Sequence, residues 1–194
     1  MRKLWVAVLF VSALVPPVLA FASHQNLQDR NDARGPLDIA EVKMSGDVRF
    51  PRWTTFTWKK WTAAHIWDRG FLLVEFDTLG NSRFDYYAMV RSDGERLLAS
   101  LHRDYRKKDD RRVARLHLAR PGKSSVRIRV PLDKMEFEEE LHYRWKAQTM
   151  WTGSHCTAVC FDRAPDKGAV EEPRSAPTPT PTPTITITPT PTDV

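Results

Sequence analysis

Phe71–Ser92, FLLVEFDTLGNSRFDYYAMVRS, reads as two strands joined by a turn, and the rest of the chain can be placed against it. Phe71–Thr78 is an apolar run rich in Phe, Leu and Val, and Leu79-Gly80-Asn81-Ser82 supplies residues that tolerate positive φ. The second arm alternates: Phe84, Tyr86, Ala88 and Val90 fall on one face, and Asp85, Tyr87, Met89 and Arg91 on the other. That period of two belongs to a sheet with one buried face. A lone hairpin is marginal in water, so further strands and a second sheet are required.

Working outward, Leu37–Met44 reads as the first strand, and Phe56 and Trp58 alternate with Thr55 and Thr57 in a second that, given Pro51, either begins after that proline or lies on a sheet edge. Beyond the hairpin, Asp93-Gly94 turns the chain into Glu95–His102; Val113–Ala119 and Ser125–Val130 alternate again. Tyr143, Trp145, Ala147, Thr149 and Trp151 form the longest alternation, with Trp145 expected in the core. Asp133–Leu141 reads either as the one short helix of the chain or as a charged crossover loop, which fits nearly as well. The expectation is an all-β, antiparallel sandwich, jelly-roll-like, of about eight strands with at most one short helix.

The two ends of the 194-residue chain do not share this pattern. Arg2 and Lys3, the apolar run Leu4–Ala20 and the Ala20-Phe21-Ala22 site predict a signal peptide over 1–22, too short and too proline-broken for a span. From 169 to 194 Pro and Thr alternate, so a disordered, proline-threonine-rich spacer is expected, with threonines open to glycosylation, after a β-sandwich domain at 23–168. The expected product is secreted or held at the cell surface, has no membrane span after cleavage, and is a monomer. Loss of Arg2 and Lys3 leaves 28 basic residues against 24 acidic, lowering the net charge from +6 to +4.

The excess is unevenly spread. Arg103–Arg129 holds eleven Lys or Arg against three Asp, whereas Asp133–Glu140 holds five acids against one Lys. Such stretches are either solvated faces or a surface that attracts an anionic polymer. Nucleic acid is not expected, because the basic run lacks interleaved aromatic platforms.

Trp53, Trp58, Trp61 and Trp67 crowd into fifteen residues. Either these rings fill the core, or some lie exposed as flat platforms for sugar rings, with Trp53, Trp61 and Trp67 as the ligand-binding candidates. Cys156 and Cys160, the only cysteines, are expected to form a disulfide; C-x3-C is not a usual zinc knuckle, although His155, His142 and His117 are further potential ligands. Asp29, Asn31, Asp32 and Asp38 cluster before the first strand and raise the question of Ca²⁺. Ala33 and Arg34 break the EF-hand spacing, so an ordinary capped turn is the expectation, with no metal and no cofactor.

No motif forces a mechanism. H-E-x-x-H, G-x-S-x-G, a glycine-rich phosphate loop and S-x-x-K are all missing from the sequence. Gly153-Ser154-His155 sets a hydroxyl beside an imidazole by sequence adjacency alone, and Asp77 and Asp85 fit strand-end and solvent-face positions better than a glycosidase pair. The catalytic set is therefore expected to be empty. A non-catalytic surface or binding module for a carbohydrate or anionic cell-wall polymer is favoured over a small exported hydrolase with a dispersed site, or a purely structural envelope protein.

The N-D-x-x-G-x-L-D-I run at Asn31–Ile39, the strand closing in Phe76-Asp77-Thr78, and C-x3-C-F-D-x-A-P-D at Cys156–Asp166 resemble uncharacterised β-sandwich modules of exported bacterial, particularly actinobacterial, proteins. Their style is similar to carbohydrate-binding and other jelly-roll accessory domains. The resemblance implies a sandwich fold and an exported compartment, and carries over no functional residue.

Overall fold

The computed structural model describes residues 25–172 except 48, 106, 139–141 and 154; residues 1–24, where a signal peptide is expected, and the residues from 173 onward lie outside the described residues. The described chain forms β1 (Gln25–Gln28), β2 (Ile39–Ser45), β3 (Arg52–Thr57), α1 (Ala63–Ile66), β4 (Gly70–Asp77), β5 (Tyr86–Ser92), β6 (Leu97–Arg103), β7 (Arg111–Arg115), β8 (His117–Gly122), β9 (Ser125–Arg129), β10 (Tyr143–Trp151), β11 (Cys160–Ala164) and β12 (Val170–Glu172). All pairings are antiparallel. One sheet runs β1-β2-β3-β9-β8; the other runs β11-β10-β4-β5-β6-β7, with β12 continuing the β11 edge of β10. β10 returns after the β8–β9 hairpin to lie beside β4, ahead of β5 and β6, a Greek-key order.

The hairpin of β4 and β5 forms as its pattern dictates: Leu72 faces Val90, Val74 faces Ala88 and Phe76 faces Tyr86, all buried. Its turn uses the left-handed region at Gly80 and Ser82. Opposite, Trp53 of β3 pairs with Ile128 of β9, and the two sheets meet through Trp53, Phe76 and Trp145. Trp53 stands edge-on to Phe76 at 5.1 Å and to Trp145 at 5.9 Å, so the aromatic centre of the core joins three strands of both sheets. On the outer face of the second sheet Lys146 pairs with Glu75 at 2.9 Å directly across from it.

The strand count is twelve among the described residues rather than about eight. β1 hides in a polar stretch, Leu116 divides one expected strand into β7 and β8 on different sheets, and β11 and β12 are too short and mixed to alternate. β12 carries the domain to Glu172, past Gly168; Glu172 is buried and accepts a hydrogen bond from Gln25 of β1, closing the sandwich between its first and last strands. The helix is also elsewhere. α1 occupies Ala63–Ile66, where the Thr62 hydroxyl accepts from the His65 N–H, and Leu132–Lys134 forms only a 3-10 turn. No described helix is long and apolar enough to cross a membrane.

Candidate functional site

The β3–α1 connection, the start of β6 and the β8–β9 hairpin surround a cleft of about 830 Å³. Its apolar lining includes Trp61, Leu97 and Leu118, and its charged lining is Lys60, Arg96, Arg120 and Lys123 against one acid, Glu95. Trp61 is placed by its backbone, whose N–H donates to the Lys123 carbonyl at 3.1 Å, and by its indole N–H, which donates to Thr57 Oγ1 at 3.0 Å. Arg120 lies 3.9 Å over the Trp61 ring and donates to the Trp61 and Lys123 carbonyls at 2.9 and 2.8 Å. A guanidinium fixed in this way holds a positive charge at the cleft without further ordering. Lys60, Arg96 and Lys123 are exposed, and among the described residues their one opposing partner is Asp93, which pairs with Arg96 at 3.0 Å.

The structure separates the three tryptophans proposed as platforms. Trp53 is wholly buried between the sheets and offers no face to a ligand. Trp61 borders the cleft, but its side chain is buried with Arg120 across it, so it is not an open platform either. Trp67 is 53% exposed, yet it is not among the residues lining the cleft and covers Gly94 instead. The platform reading fails for Trp53 because the register of β3 turns it into the core, and for Trp61 because Thr57, Lys123 and Arg120 hold its ring buried beneath the cleft. Lys60 and Arg96 carry no sequence signal of their own; Arg120 and Lys123 belong to the basic run between Arg103 and Arg129.

Asp77 is buried against Arg144, its neighbour across β4 and β10, and Asp85 accepts the Thr78 and Leu79 N–H groups at 3.2 and 3.3 Å. Both are therefore structural. Cys156 and Cys160 are joined in a disulfide, which leaves no thiolate for zinc, and His142 lies 3.0 Å from Glu171.

A second polar centre sits where the approach to β2 meets β11. Asp162, 123 residues from Ile39, accepts the Ile39 N–H at 2.5 Å through Oδ2 and the Arg163 N–H at 2.7 Å through Oδ1. Carboxylate oxygens of Asp32, Asp38 and Asp162 lie within 4.8 Å of one another. Burial pushes the Asp162 carboxyl up to about 6, reinforced by Asp38 and Asp32 and opposed by its two N–H donors. Asp29 alongside is pushed up to about 7 by burial and by the Asp162 charge, and Asp38 is raised by burial. The Ala33 amide and Asp162 lie near enough to ease Asp38, but neither makes a well-formed hydrogen bond to its oxygens. None of these aspartates lines the cleft.

Comparison of the chain with protein-family models, characterised proteins and solved structures returned no match.

Proposed function

We propose that the chain is a non-catalytic binding module of an exported protein, and that it takes an anionic glycan into the cleft beside Trp61. The observation that carries this reading is the cleft's lining: four cationic side chains against Glu95, around apolar surface from the half-buried Leu97 and Leu118, with Trp61 buried beneath Arg120. Sugar rings present apolar faces and hydroxyl edges, and an acidic sugar adds the charge that Lys60, Arg96, Arg120 and Lys123 complement. Glycosidic hydrolysis normally needs two carboxyl groups flanking the bond, and the cleft lining contains one. The disulfide, the signal-like N-terminus and the likeness to exported accessory modules favour the same setting.

Isothermal titration of the full chain with hyaluronan, a uronate glycan, and with neutral dextran of similar size tests the proposal. Hyaluronan should bind, weaken as ionic strength rises, and weaken about ten-fold or more in the double variant Lys60→Glu/Lys123→Glu, whose changes are at exposed positions and leave folding intact. Equal binding of dextran, or unchanged hyaluronan affinity in the double variant, would overturn it.

A further inference from the structure

The acidic corner between β2 and β11 is distinct from the cleft and has no role in the reading above. We propose that Asp32, Asp38 and Asp162, with Asp29 beside them, bind one calcium ion that ties the approach to β2 in the first sheet to β11 in the second.

The spacing is the first reason. Calcium holds oxygen ligands at about 2.3–2.6 Å, so ligands on opposite sides of the ion stand roughly 5 Å apart. The three carboxylate oxygens fall within 4.8 Å of one another, and one ion of that size can touch all three. Magnesium, with ligands at about 2.0–2.1 Å and strict octahedral demands, fits this spread less well.

The second reason is independent of the clustering. Asp38 is 1% exposed, and neither of its carboxylate oxygens receives a well-formed hydrogen bond, the Ala33 amide being near but badly placed. A buried carboxylate left without a donor is strongly disfavoured unless a cation reaches it. Among the described residues no Lys or Arg forms an ion pair with Asp29, Asp32, Asp38 or Asp162. Asp29 Oδ2 is likewise buried without a partner. Asp162 spends one lone pair of each oxygen on an N–H, which orients the carboxylate and leaves its remaining lone pairs for a metal.

The donor set is oxygen alone, which suits a hard cation and excludes the thiolate and imidazole chemistry of zinc. Asp32 is exposed, so the site opens to solvent on one side and water can complete the coordination shell. The ion would reinforce a corner already stapled by the Cys156–Cys160 bridge on the β10–β11 connection and by the Thr149 hydroxyl, which donates to the Leu37 carbonyl at 2.7 Å.

The test uses the full chain, stripped with EDTA and returned to chelator-free buffer at pH 7.5. Titration with CaCl2 should show one site, and Tm should rise by about 5–10 °C once free calcium is about 100 times Kd, with a much smaller rise in MgCl2. Asp32→Asn, at an exposed position, should keep the metal-free Tm and lose at least about ten-fold in calcium affinity. Asp38→Asn should abolish the calcium response while its metal-free form melts no lower than metal-free wild type, because the charge removed has no partner. If Asp38→Asn does not fold, Asp32→Asn decides alone. The absence of any calcium heat or Tm shift in the wild type would overturn the proposal. So would unchanged affinity in the folded variants, or an equal response to magnesium.

Discussion

Replacing Trp53 by alanine removes the indole that joins the two sheets, and its cost can be worked from the contacts. The ring is wholly buried and stands edge-on to both Phe76 and Trp145. A buried Trp withdraws roughly 200 Å² from water, and at about 25 cal/mol per Å² that is about 5 kcal/mol as an upper bound. Measured aromatic truncations in cores fall at about 3–5 kcal/mol, cavity included, so about 4 kcal/mol is expected for Trp53→Ala. For a domain of this size each kcal/mol moves Tm by about 2–4 °C, giving a fall of about 8–16 °C. Trp53→Phe retains the ring packing and deletes an indole N–H that has no hydrogen-bond partner, so it should cost less than about 2 kcal/mol. Urea unfolding of the full chain followed by far-UV circular dichroism reads both values without depending on the deleted fluorophore. A Trp53→Ala protein within about 1 kcal/mol of wild type at unchanged m-value would refute the placement of this ring between the sheets.

Gly35→Ala should destabilise by about 2–5 kcal/mol, because Gly35 sits at φ +107° and an added Cβ would come within 2.3 Å of Trp151 Cδ1; a thermal melt near wild type would mean the turn does not lie under that indole. Ending the chain after Gly168 should lower Tm by several degrees through loss of β12 and of the Gln25–Glu172 hydrogen bond, while ending it after Arg174 should not, since the Pro/Thr repeat that follows offers no apolar face. Equal melting of the two truncations would show that β12 adds nothing to the fold.

The long alternations were legible because burial imposes a period of two wherever one face of a strand is solvated. Phe71–Ser92 and Tyr143–Trp151 therefore announce β4, β5 and β10 directly. β1, β11 and β12 have three to five residues, and their sides are set by pairing partners far away, such as Gln25 opposite Met44 and Ala164 opposite Ala147. Local pattern cannot reveal such strands. The tryptophans misled for a related reason: crowding in sequence marks aromatic surface, while the register of β3 decides that Trp53 turns inward. The cleft draws on Lys60, Arg96 and Lys123 from three separate connections, and the acidic corner needs Asp162 beside a cluster more than 120 residues earlier. Both sites are products of the topology, and only their ingredients show in the chain.

The account rests most heavily on the cleft as the place where a ligand binds. Titrating the ¹⁵N-labelled full chain with a hyaluronan hexasaccharide and following backbone amide shifts tests that placement residue by residue. Perturbations should concentrate at Lys60–His65, Glu95–Leu97 and Leu118–Lys123, the segments that line it. Shifts gathered instead around Asn81, Arg83–Asp85, Arg103–Tyr105, Lys107 and Lys108, which line a second depression, or no shifts at millimolar ligand, would contradict the assignment.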